Sequence, residues 1–244
     1  MPDIQIHPFR IALSYVWRLS LPKGDISAQQ VGQSMAFIPL VALLLGLTLT
    51  LISWLLSHYL SAEINAALLL IVWLKMTGAS TLDGLARVSD AALTKVSQDI
   101  STLLQPKAAI GATGIVLLVL ALILKWALLV QVIREGWWIL LVLVPVVGWS
   151  FAQMLMLGSR WVQNTSFATG WREYVGLSWL WPQWLLLFTA LALTSGWTLT
   201  VLIIGTWAWI VWWRKHLGGI TEAVALSWVE SSELVLLLGM VVVL

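Results

Sequence analysis

Asp83 and Asp90 stand seven residues apart with Arg87 between them, in the stretch Leu82-Asp83-Gly84-Leu85-Ala86-Arg87-Val88-Ser89-Asp90. On a helix these three side chains share one face, with the carboxylates about two turns (~10 Å) apart and the guanidinium between them. Two chemistries fit that spacing. Arg87 can neutralise both acids so that the helix lies against a membrane, or the two carboxylates, as hard oxygen ligands, can hold Mg²⁺ against a phosphate-bearing substrate. Spacing alone leaves both open. Gly111 and Gly114, just after Lys107, offer either backbone amides to an anion at a helix start or small surfaces for close helix packing. Lys125 stands inside an apolar run, where a cation costs ~2.5–3.5 kcal/mol on insertion scales. It is expected to face a bundle interior and pair with an acid, for which Glu230, Glu233 and Asp83 are the candidates. Glu230 and Glu233, three apart among serines and apolar residues, share a helical face and read as inward-facing functional acids. His7, His58 and His216 lie at segment ends and read as polar residues at headgroup level.

The elements that must position these residues are membrane helices. Of the 244 residues, 60% are hydrophobic and only 10% charged, against roughly 25% charged in soluble chains, and the mean hydropathy is +0.94. The uncharged runs 35–56 and 137–159 each cross ~30 Å of hydrocarbon at ~1.5 Å per residue. Continuous rather than alternating apolar runs exclude a membrane β-barrel. The fold class expected is all-α, a polytopic helical membrane protein with about six to seven transmembrane helices, in one integral-membrane domain over residues 1–244.

Residues 1–34 are expected to lie at the interface, with Phe9, Ile11, Leu13, Val16 and Trp17 interleaved by Arg10 and Arg18, and with Asp25 or Ser27 as the cap of the next helix. Spans are expected at 35–56, 64–78, 108–130 and 137–159. The uncharged run 177–213 is too long for one crossing and is split at Thr194-Ser195-Gly196. The apolar end 234–244 spans only if its helix begins well upstream. Residues 75–114 form the long polar interval, read as a loop with flanks that carries the chemistry. With the N-terminus cytoplasmic, eleven of the 13 Lys and Arg residues fall on the cytoplasmic side, Arg134 outside and Lys125 within a span. No cleaved leader is expected from the first residues. Zero cysteines exclude disulfides and thiolate chemistry, and a net charge of +2 without a basic patch excludes nucleic acid as a partner. The 18 tryptophans read as interface anchors.

These pieces together resemble the cobalamin synthase family, the adenosylcobinamide-GDP ribazoletransferases. The family pattern T-G-G-x-H-L-D-G-L-A-D-x-x-D-G is matched by Thr77-Gly78, Leu82 to Ala86 and Asp90; K-D-S-R-x-G-x-x-G by Gly111 and Gly114; and L-G-G-x-T-G-D by Leu217-Gly218-Gly219 and Thr221. Arg18-Leu19 before Pro22, Phe37 and Pro39, Ser159-Arg160, Lys125, Glu230 and Glu233 also fit in the same order. Departures are Arg87 for an aspartate, Thr81 for histidine, Ala91 for glycine, Pro106-Lys107-Ala108 for the lysine-aspartate-serine run, and Glu222-Ala223 for glycine-aspartate.

The resemblance implies a Mg²⁺-dependent phosphoryl transfer at the cytoplasmic face of a bacterial inner membrane. A ribose hydroxyl of α-ribazole (or its 5′-phosphate) would displace GMP from adenosylcobinamide-GDP. Asp83 and Asp90 would bind metal, and Glu230 or Glu233 would orient or deprotonate the hydroxyl. Arg87, Lys107, Lys125 and Arg160, with the Gly111 and Gly114 amides, would meet phosphate. A homo-oligomer or a complex with other cobalamin-assembly enzymes is the partner state expected besides the bilayer. The alternative is a catalytically inactive relative acting as a membrane scaffold in a corrinoid assembly or transport complex.

Overall fold

The computed structural model describes residues 6–20, 26–93, 104–105, 108–162 and 166–243, with only the backbone for Ser166 and Leu177. Lys107 and Asp25 therefore lie outside the described residues. Among the described residues the helices are α1 (Pro8–Val16), α2 (Ala28–Ser34), α3 (Ile38–Leu56), α4 (Ala62–Thr77), α5 (Ser80–Leu93), α6 (Ala112–Arg134), α7 (Trp138–Gly158), α8 (Ser166–Tyr174), α9 (Leu177–Leu217) and α10 (Glu222–Val243).

Local chemistry sets the boundaries. Ser27 caps α2, its hydroxyl accepting the Gln30 N–H while the Gln30 side chain returns to the Ser27 N–H; this reciprocal pairing satisfies two orphan amides. A 3₁₀ turn, Met35–Phe37, joins α2 to α3, and Pro39 sits in the first turn of α3, where no N–H is needed. The first span thus continues a helix already begun at Ala28, inside the segment expected to lie at the interface. Gly78, at φ +60°, ends α4, and the following helix leaves at 90°. The polar interval is accordingly not a loop in its described part: residues 80–93 are the helix α5, because Leu82, Leu85, Ala86 and Val88 give it an apolar face to bury.

Among the described residues, five helices are long and apolar enough to cross a membrane, or six if α4 and α5 together make one broken span. One of the five, α9, is doubled. Ser195 has non-helical dihedrals (φ −157°, ψ 79°). Trp184 Nε1 donates to Gln153 Oε1 at 2.9 Å, while Ile210 reaches Gly158. In a straight helix positions 184 and 210 are about 39 Å apart, far more than Gln153 and Gly158 can bridge, so the chain folds back at Ser195. That is where the sequence places the break. With α9 counted twice, six to seven crossings result.

The core is built where α3, α7 and α10 meet, with Val41, Leu45 and Leu49, then Val144, Val147 and Phe151, then Val229 and Leu237, all fully buried. Gly46 lets α3 approach the Val142 carbonyl of α7. Ile115, Val119 and Ile123 on α6 and Leu185, Leu186 and Leu193 on α9 are exposed, as lipid-facing side chains should be. The tryptophans divide. Trp179, Trp181 and Trp207 face outward as interface anchors would, but Trp149, Trp171 and Trp213 are fully buried; Trp149 and Trp171 pack edge-on around Tyr15. The helix α10 begins at Glu222, far enough upstream for the apolar tail to complete a crossing.

Candidate active site

The helix α5 is the hub, and chain segments far apart in sequence meet along it. Its first end lies behind Gly78, whose missing side chain makes room for Arg18: a Cβ there would be 2.8 Å from the Arg18 Cβ. Arg18, itself at φ +48°, pairs with Glu222 at 2.9 Å. One turn on, Gly84 brings α5 against the start of α10, where a Cβ would meet the Ala223 carbonyl at 2.8 Å and the Leu226 Cβ at 2.9 Å. The start of α10 is tied back to the end of α7. Gly218 (φ +77°) ends α9, Gly219 passes against the Arg160 carbonyl, and Ile220 N–H donates to Arg160 O at 2.8 Å while Val162 N–H donates to Ile220 O at 2.9 Å. The Arg160 side chain stays exposed.

Asp83, Arg87 and Asp90 lie on one face of α5, as their spacing predicts, yet their environments differ. Asp83 has half its side chain open, while Arg87 is 8% exposed and Asp90 6%. Arg87 Nε donates to Asp83 Oδ2 at 2.8 Å, and its Nη1 donates to the carbonyls of Gln105 (2.8 Å) and Ala108 (2.7 Å). One turn further, Asp90 Oδ2 accepts the Gly111 N–H at 3.0 Å and Oδ1 the Gly114 N–H at 3.4 Å. Gly111 is the N-cap of α6, so Asp90 supplies the negative charge that a helix start favours. Both amides, which the sequence suggested for a phosphate, are engaged by the chain's own Asp90. Both glycines are also required sterically, since a Cβ on Gly111 would lie 2.5 Å from Asp90 Oδ1 and one on Gly114 would run into the Ala86 carbonyl.

Deeper in the bundle, Lys125 of α6 donates to Glu230 Oε1 and Glu233 Oε2 of α10, both at 2.6 Å. All three are buried, at 3%, 3% and 1% exposure. Thr81 of α5 donates to the second oxygen of Glu230 at 3.0 Å, and the Lys125 ammonium lies 4.0 Å from the centre of the Trp73 ring. Lys125 thus faces inward and pairs with Glu230 and Glu233, while Asp83 pairs with Arg87. The adjoining cavity, lined by Thr77, Thr81, Lys125 and Glu230, is about 10 Å³, room for roughly one water. In this arrangement the three groups satisfy one another and join α5, α6 and α10. Lys125, Glu230 and Glu233, expected to meet phosphate or the attacking hydroxyl, are bonded to one another in this structure.

The donor set does not match the needs of a bound Mg²⁺. Among the described residues no three His, Cys, Asp or Glu side chains gather closely enough to hold a metal ion. Asp90 turns both oxygens to backbone amides, and the Arg87 guanidinium lies on Asp83. A cation shared between Asp83 and Asp90 does not fit these residues. Of the two acids, Asp83 is the one with an exposed side chain. Two features were invisible in the sequence. The Gln105 and Ala108 carbonyls carry no side-chain signal, and Gly84 was legible only as a small residue in a motif.

The sequence profile of the cobalamin-5-phosphate synthase family matches residues 8–241. A protein of Pseudomonas putida (strain GB-1) is 36% identical over 247 residues, covering 96% of this chain and 98% of the relative. One of Pseudomonas entomophila (strain L48) is 34% identical over 243 residues, with the same coverage. A more distant one, from Acinetobacter baumannii, is 31% identical over 243 residues, covering 96% and 97%. All three bear the name adenosylcobinamide-GDP ribazoletransferase. No solved structure matches the chain.

Proposed function

The chain belongs to the cobalamin-5-phosphate synthase family, and from that premise we propose that it is an adenosylcobinamide-GDP ribazoletransferase of cobalamin biosynthesis, working at the cytoplasmic face of a bacterial inner membrane. In the reaction, a ribose hydroxyl of α-ribazole or its 5′-phosphate attacks the cobinamide-linked phosphorus. A new P–O bond forms, the diphosphate P–O bond breaks, and GMP leaves with the bridging oxygen. Such a transfer needs positioning and neutralisation of phosphate charge more than covalent help.

The observation that carries this reading is convergence. Arg18 and Gly78, Gly84 and Ala223, and Gly111 and Asp90 are pairs distant in sequence that meet along α5 and at its start, Gly219 and Arg160 close the start of α10 onto the end of α7, and every pair includes residues of the matched motifs. Beside the half-exposed Asp83 carboxylate, Arg87 supplies cationic charge, and we assign Asp83 to receive the hydroxyl proton. Arg160 and Lys107 are assigned to phosphate oxygens. Magnesium enters only as an ion carried by substrate phosphates. The cytoplasmic placement rests on the distribution of basic residues.

A second reading has its own observation. Asp90, a family acid, is spent on Gly111 and Gly114, as in a catalytically silent relative that keeps the scaffold. One assay separates the two: purified protein with adenosylcobinamide-GDP and α-ribazole 5′-phosphate, followed for GMP. Release above a no-protein control is expected; none, with the Pseudomonas putida relative active alongside, leaves the scaffold reading.

A further inference from the structure

Arg87 and Asp90 treat the chain entering α6 in complementary ways. The guanidinium takes carbonyls, Gln105 and Ala108, and the carboxylate one turn later takes amides, Gly111 and Gly114. Each charge faces the backbone dipoles of opposite sign. The same guanidinium covers one oxygen of Asp83, so the acids of α5 are compensated from within. With aspartate at 87, as in the family pattern, α5 would present three acids over eight residues, and carbonyls at 105 and 108 would face oxygens. That assembly would require a cation from solution.

We infer that Arg87 is a resident cation that fastens the entry of α6 to α5 in place of a divalent ion, so that this wall of the site assembles without metal. The inference rests on the proposed function only for what the site is used for, and its test needs no substrate. A planar guanidinium suits the place because it donates in several directions at once, to one carboxylate and two carbonyls. Lysine, a point charge on a flexible stem, does not reproduce that fan.

The test is hydrogen–deuterium exchange of the Gly111 and Gly114 amides in the full-length protein in detergent, with chelator and with Mg²⁺. In the unaltered chain, exchange is expected to be slow and the same in both. In Arg87→Gln it is expected to rise about tenfold or more in both, since the link is lost and no acid replaces it. In Arg87→Asp it is expected to rise comparably in chelator and to fall back with Mg²⁺. Exchange in the unaltered chain that slows about tenfold on adding Mg²⁺ overturns the inference, because metal is then needed after all. So does Arg87→Gln exchanging like the unaltered chain, which frees Arg87 of the role. Should Arg87→Asp fail to fold, Arg87→Gln decides alone. A lack of GMP release with metal-independent protection would overturn the proposed function and leave this inference standing.

Discussion

Asp90 closes the amino end of α6 from outside: its carboxylate accepts the Gly111 N–H at 3.0 Å, one residue before the helix begins. The pair is complementary in charge and in shape. The helix start offers unsatisfied amides and a positive partial charge, and a glycine leaves the gap a carboxylate needs. Gly111→Ala is therefore expected to expel the Asp90 carboxylate, since the added Cβ would sit 2.5 Å from Oδ1 and 2.8 Å from Oδ2. The cost should be ~1–3 kcal/mol, the penalty for orphaning buried polar groups. Asp90→Asn keeps one acceptor but loses the charge and should cost less, ~0.5–2 kcal/mol. Thermal midpoints in detergent check the order; Gly111→Ala as stable as the unaltered chain would show that the close approach is not enforced.

The Lys125 triad answers to a different rule. Two carboxylates and one ammonium are buried together, so removing the cation leaves acids with no counter-charge. Lys125→Met should destabilise by ~3–5 kcal/mol. The triple change Lys125→Met, Glu230→Gln, Glu233→Gln removes the uncompensated charge and should recover most of that. Unfolding midpoints of the single and triple variants measure the difference. A triple variant no better than the single one means that packing by the Lys125 stem, not charge pairing, holds α6 to α10.

How much of this was legible beforehand varies with the kind of interaction. Lys125 announced an inward partner because a charge in an apolar run has nowhere else to go; Glu230, Glu233 and Asp83 were the candidates, and the structure pairs it with the two glutamates. The break at Ser195 was legible because 37 uncharged residues exceed one crossing. The helix α5 was half legible: the spacing of Asp83, Arg87 and Asp90 suits one helical face, but these charges and Ser89 made residues 80–93 read as part of a polar loop. The Asp90 grip on Gly111 was unreadable for another reason. Its acceptors and donors lie 21 residues apart, and one partner is backbone, which is the same in every residue.

Tyr15 offers a test of burial itself. Its ring is enclosed by Trp149, Phe167 and Trp171, and its hydroxyl is buried with no hydrogen-bond partner among the described residues. A buried hydroxyl without a partner costs ~1–3 kcal/mol by mutational measures. Tyr15→Phe should thus be neutral or raise the midpoint. A fall of several degrees would mean that the hydroxyl is satisfied in the folded protein, and that α1 is held by a polar contact as well as by aromatic packing.

Gly84 decides how closely α5 can carry Asp83 to the start of α10. Two effects compete in Gly84→Ala. Alanine favours the helix by ~1 kcal/mol over glycine, while its Cβ would lie 2.8 Å from the Ala223 carbonyl and 3.0 Å from the Ser227 nitrogen, backbone atoms that cannot turn aside. Overpacking of this kind costs ~1–3 kcal/mol, so the net stability change should be small and unfavourable. Activity should suffer more. Separating the helices by even a fraction of an ångström moves Asp83 relative to the Arg18–Glu222 pair, and a misplacement of ~1 Å at a reacting centre lowers rates by about 100-fold. GMP release is therefore expected to fall by at least about tenfold while the thermal midpoint moves by only a few degrees. Full activity together with a higher midpoint would show that α5 and α10 part without consequence, and that the face they form is not where substrate is held.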